Sequence, residues 1–175
     1  MLLAQRRGGQ GAVRPPNGVP DTDDPTGFKR AVALQATSDQ VIQFRQLTNS
    51  TQVARKHAQD LLQLAEDASK PNLLRSTNPL TSAVEDAQTN AEQFLRSFSA
   101  AQKSGLTNVT KKLGKANSDV TKQNNALTLG LRHSGIDGKQ IAGLVERLDK
   151  ALGDLQTKQL AVGTEMGIQS SGSVQ

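Results

Sequence analysis

Apolar and small residues recur along most of this chain in steps of three and four, and almost nowhere in steps of two. Steps of three and four collect them on one side of an α-helix, whereas a half-buried strand alternates. Four stripes stand out. Phe44, Leu47, Thr51, Ala54, Ala58, Leu61, Ala65 and Ala68 predict a helix over 38–68 that stops before Pro71, with a shorter piece over 26–36 ahead of it. Leu80, Val84, Ala87, Ala91, Phe94 and Phe98 predict a second helix over 80–98. Leu106, Val109, Leu113, Ala116, Val120 and Leu127 predict a third over 100–131, ended by His133-Ser134-Gly135-Ile136. Gly105 and Gly114 weaken that helix by about 1 kcal/mol each. Ile141, Val145, Leu148, Leu152, Leu155, Val162 and Met166 predict a fourth over 138–166. No segment alternates between turn signals, so the class is all-α.

The stripes are narrow and repeat close to every 3.5 residues, which favours near-antiparallel packing at about 20°. The expectation is an extended, thin four-helix antiparallel bundle. Narrow stripes give a lone chain little core, so a curved shape or a homodimer would complete it. Residues 1–24 carry Gly8-Gly9, Gly11, Pro15-Pro16, Gly18 and Pro20 with almost no apolar period, and predict a disordered arm. The helical domain then spans 25–166, and the Gly- and Ser-rich end, 167–175, predicts a frayed tail.

Composition narrows the chemistry. Among 175 residues there is no Cys, Trp or Tyr, and the four aromatics are Phe28, Phe44, Phe94 and Phe98. Disulfides, thiolate metal sites and a cysteine nucleophile are therefore excluded. The core must come from aliphatic side chains, which suits helix-on-helix packing. No run approaches the ~20 apolar residues of a membrane-spanning helix. The start, Met1-Leu2-Leu3-Ala4-Gln5, is shorter than a secretory signal's apolar stretch. Either the chain is cytosolic, or residues 1–4 are the remnant of a signal cleaved after Ala4.

Two short stretches carry the most information. Thr37-Ser38-Asp39-Gln40 follows Ala36, and Ser99-Ala100-Ala101-Gln102 follows Phe98. Both fit the capping box, in which a Thr37 or Ser99 hydroxyl takes the N–H three residues on, and Gln40 or Gln102 reaches back to the cap's own N–H. On its own each is simply a well-made helix start. As a pair, an apolar residue followed by T/S-x-x-Q, twice, some sixty residues apart, resembles the LTxxQ signature of the Spy/CpxP periplasmic family. Ala36 and Phe98 replace the family's Leu, and Ser99 its Thr. The resemblance spans about 26–130. It implies a cradle-like helical fold and a periplasmic or secreted, chaperone-like or stress-responsive binding protein that hydrolyses no nucleotide. The family's Met-rich and basic concave patches have no matching motif in this chain.

Charge is uneven. Residues 99–134 hold Lys103, Lys111, Lys112, Lys115, Lys122 and Arg132 against Asp119 alone, a net +5 that equals the charge of the whole chain. A solvated lysine face that keeps a helix soluble explains this. So does attraction to an acidic partner. Nucleic acid fits poorly, because no aromatic is interleaved for stacking and Arg appears only at the helix end. The candidate client-binding face is Lys111, Lys112, Lys115 and Lys122 flanking Leu106, Val109 and Leu113, suited to an acidic, partly unfolded polypeptide. The competing reading is a cytosolic structural or coiled-coil assembly protein whose stripes mediate oligomerisation.

Enzyme chemistry finds no support. His57 and Asp60, one turn apart, lack the further ligands a metal needs. His133-Ser134 lacks a buried acid, a nucleophile elbow and an oxyanion motif. Gly8-Gly9-Gln10-Gly11 lacks the Lys-Ser/Thr of a phosphate loop. No catalytic, cofactor or metal residue is assigned.

Overall fold

The structure is a computed structural model that describes residues 34–65 and 70–168. The chain divides into two units, Met1–Gln35 and Ala36–Gln175. Among the described residues of the second are five helices: α1 (Ser38–Leu64), α2 (Lys70–Arg96), α3 (Ala100–Gly105), α4 (Thr107–Leu131) and α5 (Gly138–Glu165). No strand occurs among the described residues, so the class is all-α. The arm over 1–24, the piece over 26–33 and the tail from 169 lie outside them.

Helix starts follow from cap chemistry. Thr37, Ser99 and Asp137 each hold extended backbone and accept from the N–H of the third residue on, Gln40, Gln102 and Gln140. Each glutamine returns a bond to the cap's own N–H, so two of the four orphan donors at each start are satisfied. The Asp137 box was not anticipated, although its D-x-x-Q spacing matches the other two.

Three boundaries differ from the expectation. The second helix starts at Lys70, not Leu80, and contains Pro71, which reads as a stop, together with Pro79. Pro71 lies in the first turn, where a missing N–H is no loss. Pro79 lies inside the helix at an exposed position, where solvent can take the freed carbonyl. The third helix is two: α3 ends at Gly105, and Leu106 leaves helical geometry at φ −115°, ψ 23° before α4 begins. Leu106 is 2% exposed, so the break turns its side chain into the core. Finally, the C-terminal cap of α5 extends into the expected tail. Gly167 has φ 74°, in the left-handed region. It donates to the Thr164 carbonyl, and Ile168 donates to the Gly163 carbonyl at 2.8 Å, with the Ile168 side chain buried. That pair of bonds is a Schellman cap.

α1 packs against α2 and α5, and α4 packs against the same two helices. Register pairs run in opposite senses: Phe44 with Phe94, Ser50 with Asn90, Arg55 with Asp149, Thr48 with Gln159. The core is the stripes that the periodicity marks, including Leu47, Ala54, Ala58, Leu80, Val84, Val120, Leu127, Leu148 and Leu152. Among the described residues its aromatic cluster is a pair of edge-on contacts, Phe44–Phe94 at 5.6 Å and Phe94–Phe98 at 5.1 Å. Gly163 allows the α1–α5 approach there, because a Cβ on it would lie 2.6 Å from the Phe44 ring.

Candidate functional site

The two T/S-x-x-Q stretches meet. At the end of the unit where α1 begins and α2 ends, the Gln40 side-chain N–H donates to Gln102 Oε1 at 2.8 Å. Gln102 Nε2 donates back to Gln40 Oε1 at 2.9 Å. Gln40 Nε2 also donates to the Ser97 carbonyl at 3.0 Å. Both glutamines are 2% exposed, so each amide caps its own helix and binds its counterpart out of water. Thr37 and Ser99 hold the outer corners. This cluster is fully paired and offers a ligand nothing; it fixes the start of α3 against the start of α1.

The lysine face divides once it is placed on α4. Lys111, Lys112, Lys115 and Lys122 are exposed. At 100° per residue, Lys111, Lys115, Lys122 and Leu129 fall within about 40° of one another, while Lys112 points about 100° away from Lys111. The stripe has one paired member, Lys115 with Asp119 at 3.4 Å. Its apolar companions are not where the sequence reading put them. Leu106 and Leu113 are 2% and 0% exposed and belong to the core, and Val109 is half-buried. Side chains facing inward to build the unit cannot also hold a client, so the mixed face shrinks to lysines ending at Leu129, which is 59% exposed.

Just past Leu129 lies an open groove of about 560 Å³ at the α4–α5 turn. Its floor is apolar: the Leu144 and Ile136 side chains occupy the space over Gly130, within 2.7 and 3.4 Å of where a Cβ there would stand. Its rim carries the cations Lys139 and Arg147 beside the His133 imidazole, all three exposed, and none of its lining residues is acidic. Gly143 forms part of the wall, and a Cβ on it would meet nothing within 4 Å. The sequence places His133, Gly135 and Ile136 in a loop and gives no sign of the other groove residues. Gly143 does not single them out in the sequence, because Gly114, Gly153 and Gly163 are equally helix-interior glycines, each costing about 1 kcal/mol.

Several other polar groups are paired. A second groove, between α1 and α2, is lined by amides and hydroxyls together with Val53, Ala83 and Asp86, and Asn90 Nδ2 donates to Ser50 Oγ across it at 3.0 Å. Arg55 binds Asp149 through two nitrogens, at 2.9 and 3.2 Å, and donates to Gln156. The hydrogen bonds to Asp149 hold its guanidinium above the ordinary arginine value, against the opposing effect of burial. Asp60 pairs with Lys56. Among the described residues no group of His, Asp and Glu could hold a metal, and no helix is long and apolar enough to cross a membrane. Comparison with protein-family models, with curated proteins and with solved structures finds no match to this chain.

Proposed function

We propose that this chain is a non-enzymatic helical binding protein, extracytoplasmic and chaperone-like, that engages acidic, partly unfolded polypeptide through α4. Its frame is a four-helix antiparallel bundle of α1, α2, α4 and α5, supported by the register pairs that link α1 with α2 and with α5. The observation that carries the reading is the line of Lys111, Lys115 and Lys122 on one exposed face, with Asp119 as its one acidic neighbour on α4. Three cations so aligned attract an acidic segment over a Debye length of about 8 Å at physiological salt. The resemblance of the two T/S-x-x-Q boxes to the Spy/CpxP family supports the location and the stress-response role.

Light scattering of an acidic model client tests it. The wild-type protein should slow aggregation, and added salt or the pair Lys111→Glu and Lys115→Glu should weaken the effect. Equal protection by wild type and the reversed variant would leave the lysines as a solvated face. Subcellular fractionation tests the location separately.

The second reading, assembly between copies, has its own observation. Ile42, Val53 and Leu64 are 53%, 49% and 39% exposed and lie eleven residues apart along α1. An eleven-residue step returns to nearly the same helix face, so the three lie in line. Sedimentation of the wild type against Val53→Lys tests it: a dimer lost in the variant would favour assembly through α1.

A further inference from the structure

The lysine stripe supplies charge but little apolar surface, since Leu106 and Leu113 are in the core. A partner that stays bound when its charges are screened needs an apolar anchor as well. We infer that the groove at the α4–α5 turn is a seat for an acidic peptide segment carrying an aliphatic side chain, with the aliphatic group on Ile136 and Leu144 and the carboxylates on His133, Lys139 and Arg147. The choice of a peptide as occupant rests on the binding reading proposed above; the seat itself rests on three observations of its own.

The first is complementarity. An apolar floor with a rim of three cationic or titratable nitrogen groups and no acidic lining residue fits an anion joined to an aliphatic group. It fits poorly a cation, a neutral sugar or a purely ionic polyanion that would leave the floor wet. The second is size, because about 560 Å³ lies within the usual range of ligand pockets and accepts one or two side chains rather than a folded domain. The third is Gly143. Helix-interior glycines usually answer a packing need, as Gly163 does against Phe44 and Gly153 does against the Arg55 guanidinium. Nothing lies within 4 Å of a Cβ at Gly143, nor of one at Gly114 on α4, so no neighbour demands glycine at either. What sets Gly143 apart is that it lines the groove, which a larger side chain there would fill. Gly130, which forms part of the groove, stands about 100° round α4 from Leu129, on the face of Lys112 rather than that of Lys111, Lys115 and Lys122, so the groove and the stripe occupy adjoining faces.

The test is fluorescence anisotropy with a labelled Glu- and Asp-rich peptide containing one central Leu, beside the same peptide with that Leu replaced by Asn. The Leu peptide should bind at least tenfold more tightly. Gly143→Leu, which fills the groove from an open position, should weaken binding at least tenfold while its unfolding midpoint stays at or above that of the wild type. Lys139→Glu with Arg147→Glu, both on the surface, should have a similar effect, and amide shift changes in the wild type should centre on Gly143, Leu144 and Ile136. Equal binding of the Leu and Asn peptides, or of inorganic polyphosphate, would identify an unselective cationic surface and overturn the seat. So would full binding by Gly143→Leu, shift changes elsewhere, or no binding at all. The two proposals fail apart. Client protection that survives in Gly143→Leu but disappears in the Lys111→Glu, Lys115→Glu variant overturns the seat and keeps the stripe. A peptide that seats in the groove of a protein giving no protection overturns the chaperone-like reading and keeps the seat.

Discussion

Gln40 and Gln102, 62 residues apart in sequence, exchange hydrogen bonds between their side-chain amides at 2.8 and 2.9 Å while each also closes the capping box of its own helix. Two local devices are thereby joined into one tertiary contact in a place that water does not reach. Removing either glutamine leaves a cap N–H short of its partner and the other amide short of its mate. Unsatisfied buried groups of this kind cost about 1–3 kcal/mol. Gln40→Ala and Gln102→Ala should each cost about 2–3 kcal/mol, and the double variant about 1 kcal/mol less than their sum. Urea unfolding of the four proteins measures the cycle, and strict additivity would mean two separate caps. Thr37→Ala and Ser99→Ala, which remove only the hydroxyl side of each box, should cost about 1 kcal/mol each.

Two glycines of α5 should respond to alanine in opposite directions. Gly163→Ala drives a Cβ to 2.6 Å from the Phe44 ring, and overpacking of this kind costs about 1–3 kcal/mol. Gly143→Ala meets nothing and removes the entropic cost of a helix-interior glycine, so it should stabilise by up to about 1 kcal/mol. Thermal midpoints of the two variants check this, and a shared sign would contradict the close approach of α1 and α5.

The core face of α4 has two soft spots. Asn117 and Asn124, seven residues apart, are 7% and 5% exposed, and the Oδ1 of each finds no protein donor. They alternate with Leu113, Val120 and Leu127 in a heptad seam, where a buried Asn lowers stability and specifies register. Asn117→Leu or Asn124→Leu should raise stability by about 1 kcal/mol, read as a higher urea midpoint at unchanged slope. A lower midpoint would show that the Asn side chains bind groups that leucine cannot replace.

The two kinds of ion pair on α1 should behave differently. Arg55 holds Asp149 with two nitrogens and reaches Gln156 with a third, joining α1 to α5. Lys is a poor substitute for such a planar fork, so Arg55→Lys should cost about 1 kcal/mol. The exposed Lys56–Asp60 pair lies within one helix at 3.3 Å, and Lys56→Gln should stay within about 0.5 kcal/mol. Equal losses in chemical denaturation would place the two pairs in the same class.

What the sequence determined by itself is everything that depends on neighbours within about one helical turn. Period alone identifies the stripe residues that form the core, because inward positions on a helix repeat every three to four residues whatever the helix packs against. Hydroxyl-x-x-Gln spacing identifies helix starts for the same reason, since both bonds of a capping box close within four residues. Local rules fail where a tertiary contact outweighs them. Pro71 reads as a stop, yet α2 contains both it and Pro79, with Leu73, Leu80 and Val84 of the same helix buried. Leu106 and Leu113 read as free to meet a client beside the lysines, but both side chains are buried in the core. The groove of Ile136, Lys139, Gly143, Leu144 and Arg147 is assembled from a turn and the helix after it, and its apolar floor exists only because α4 and α5 come close enough for Leu144 to cover Gly130. The meeting of Gln40 with Gln102 is likewise a tertiary decision. Each glutamine announces its own cap, and only the packing of one helix start against the other turns two caps into a buried pair.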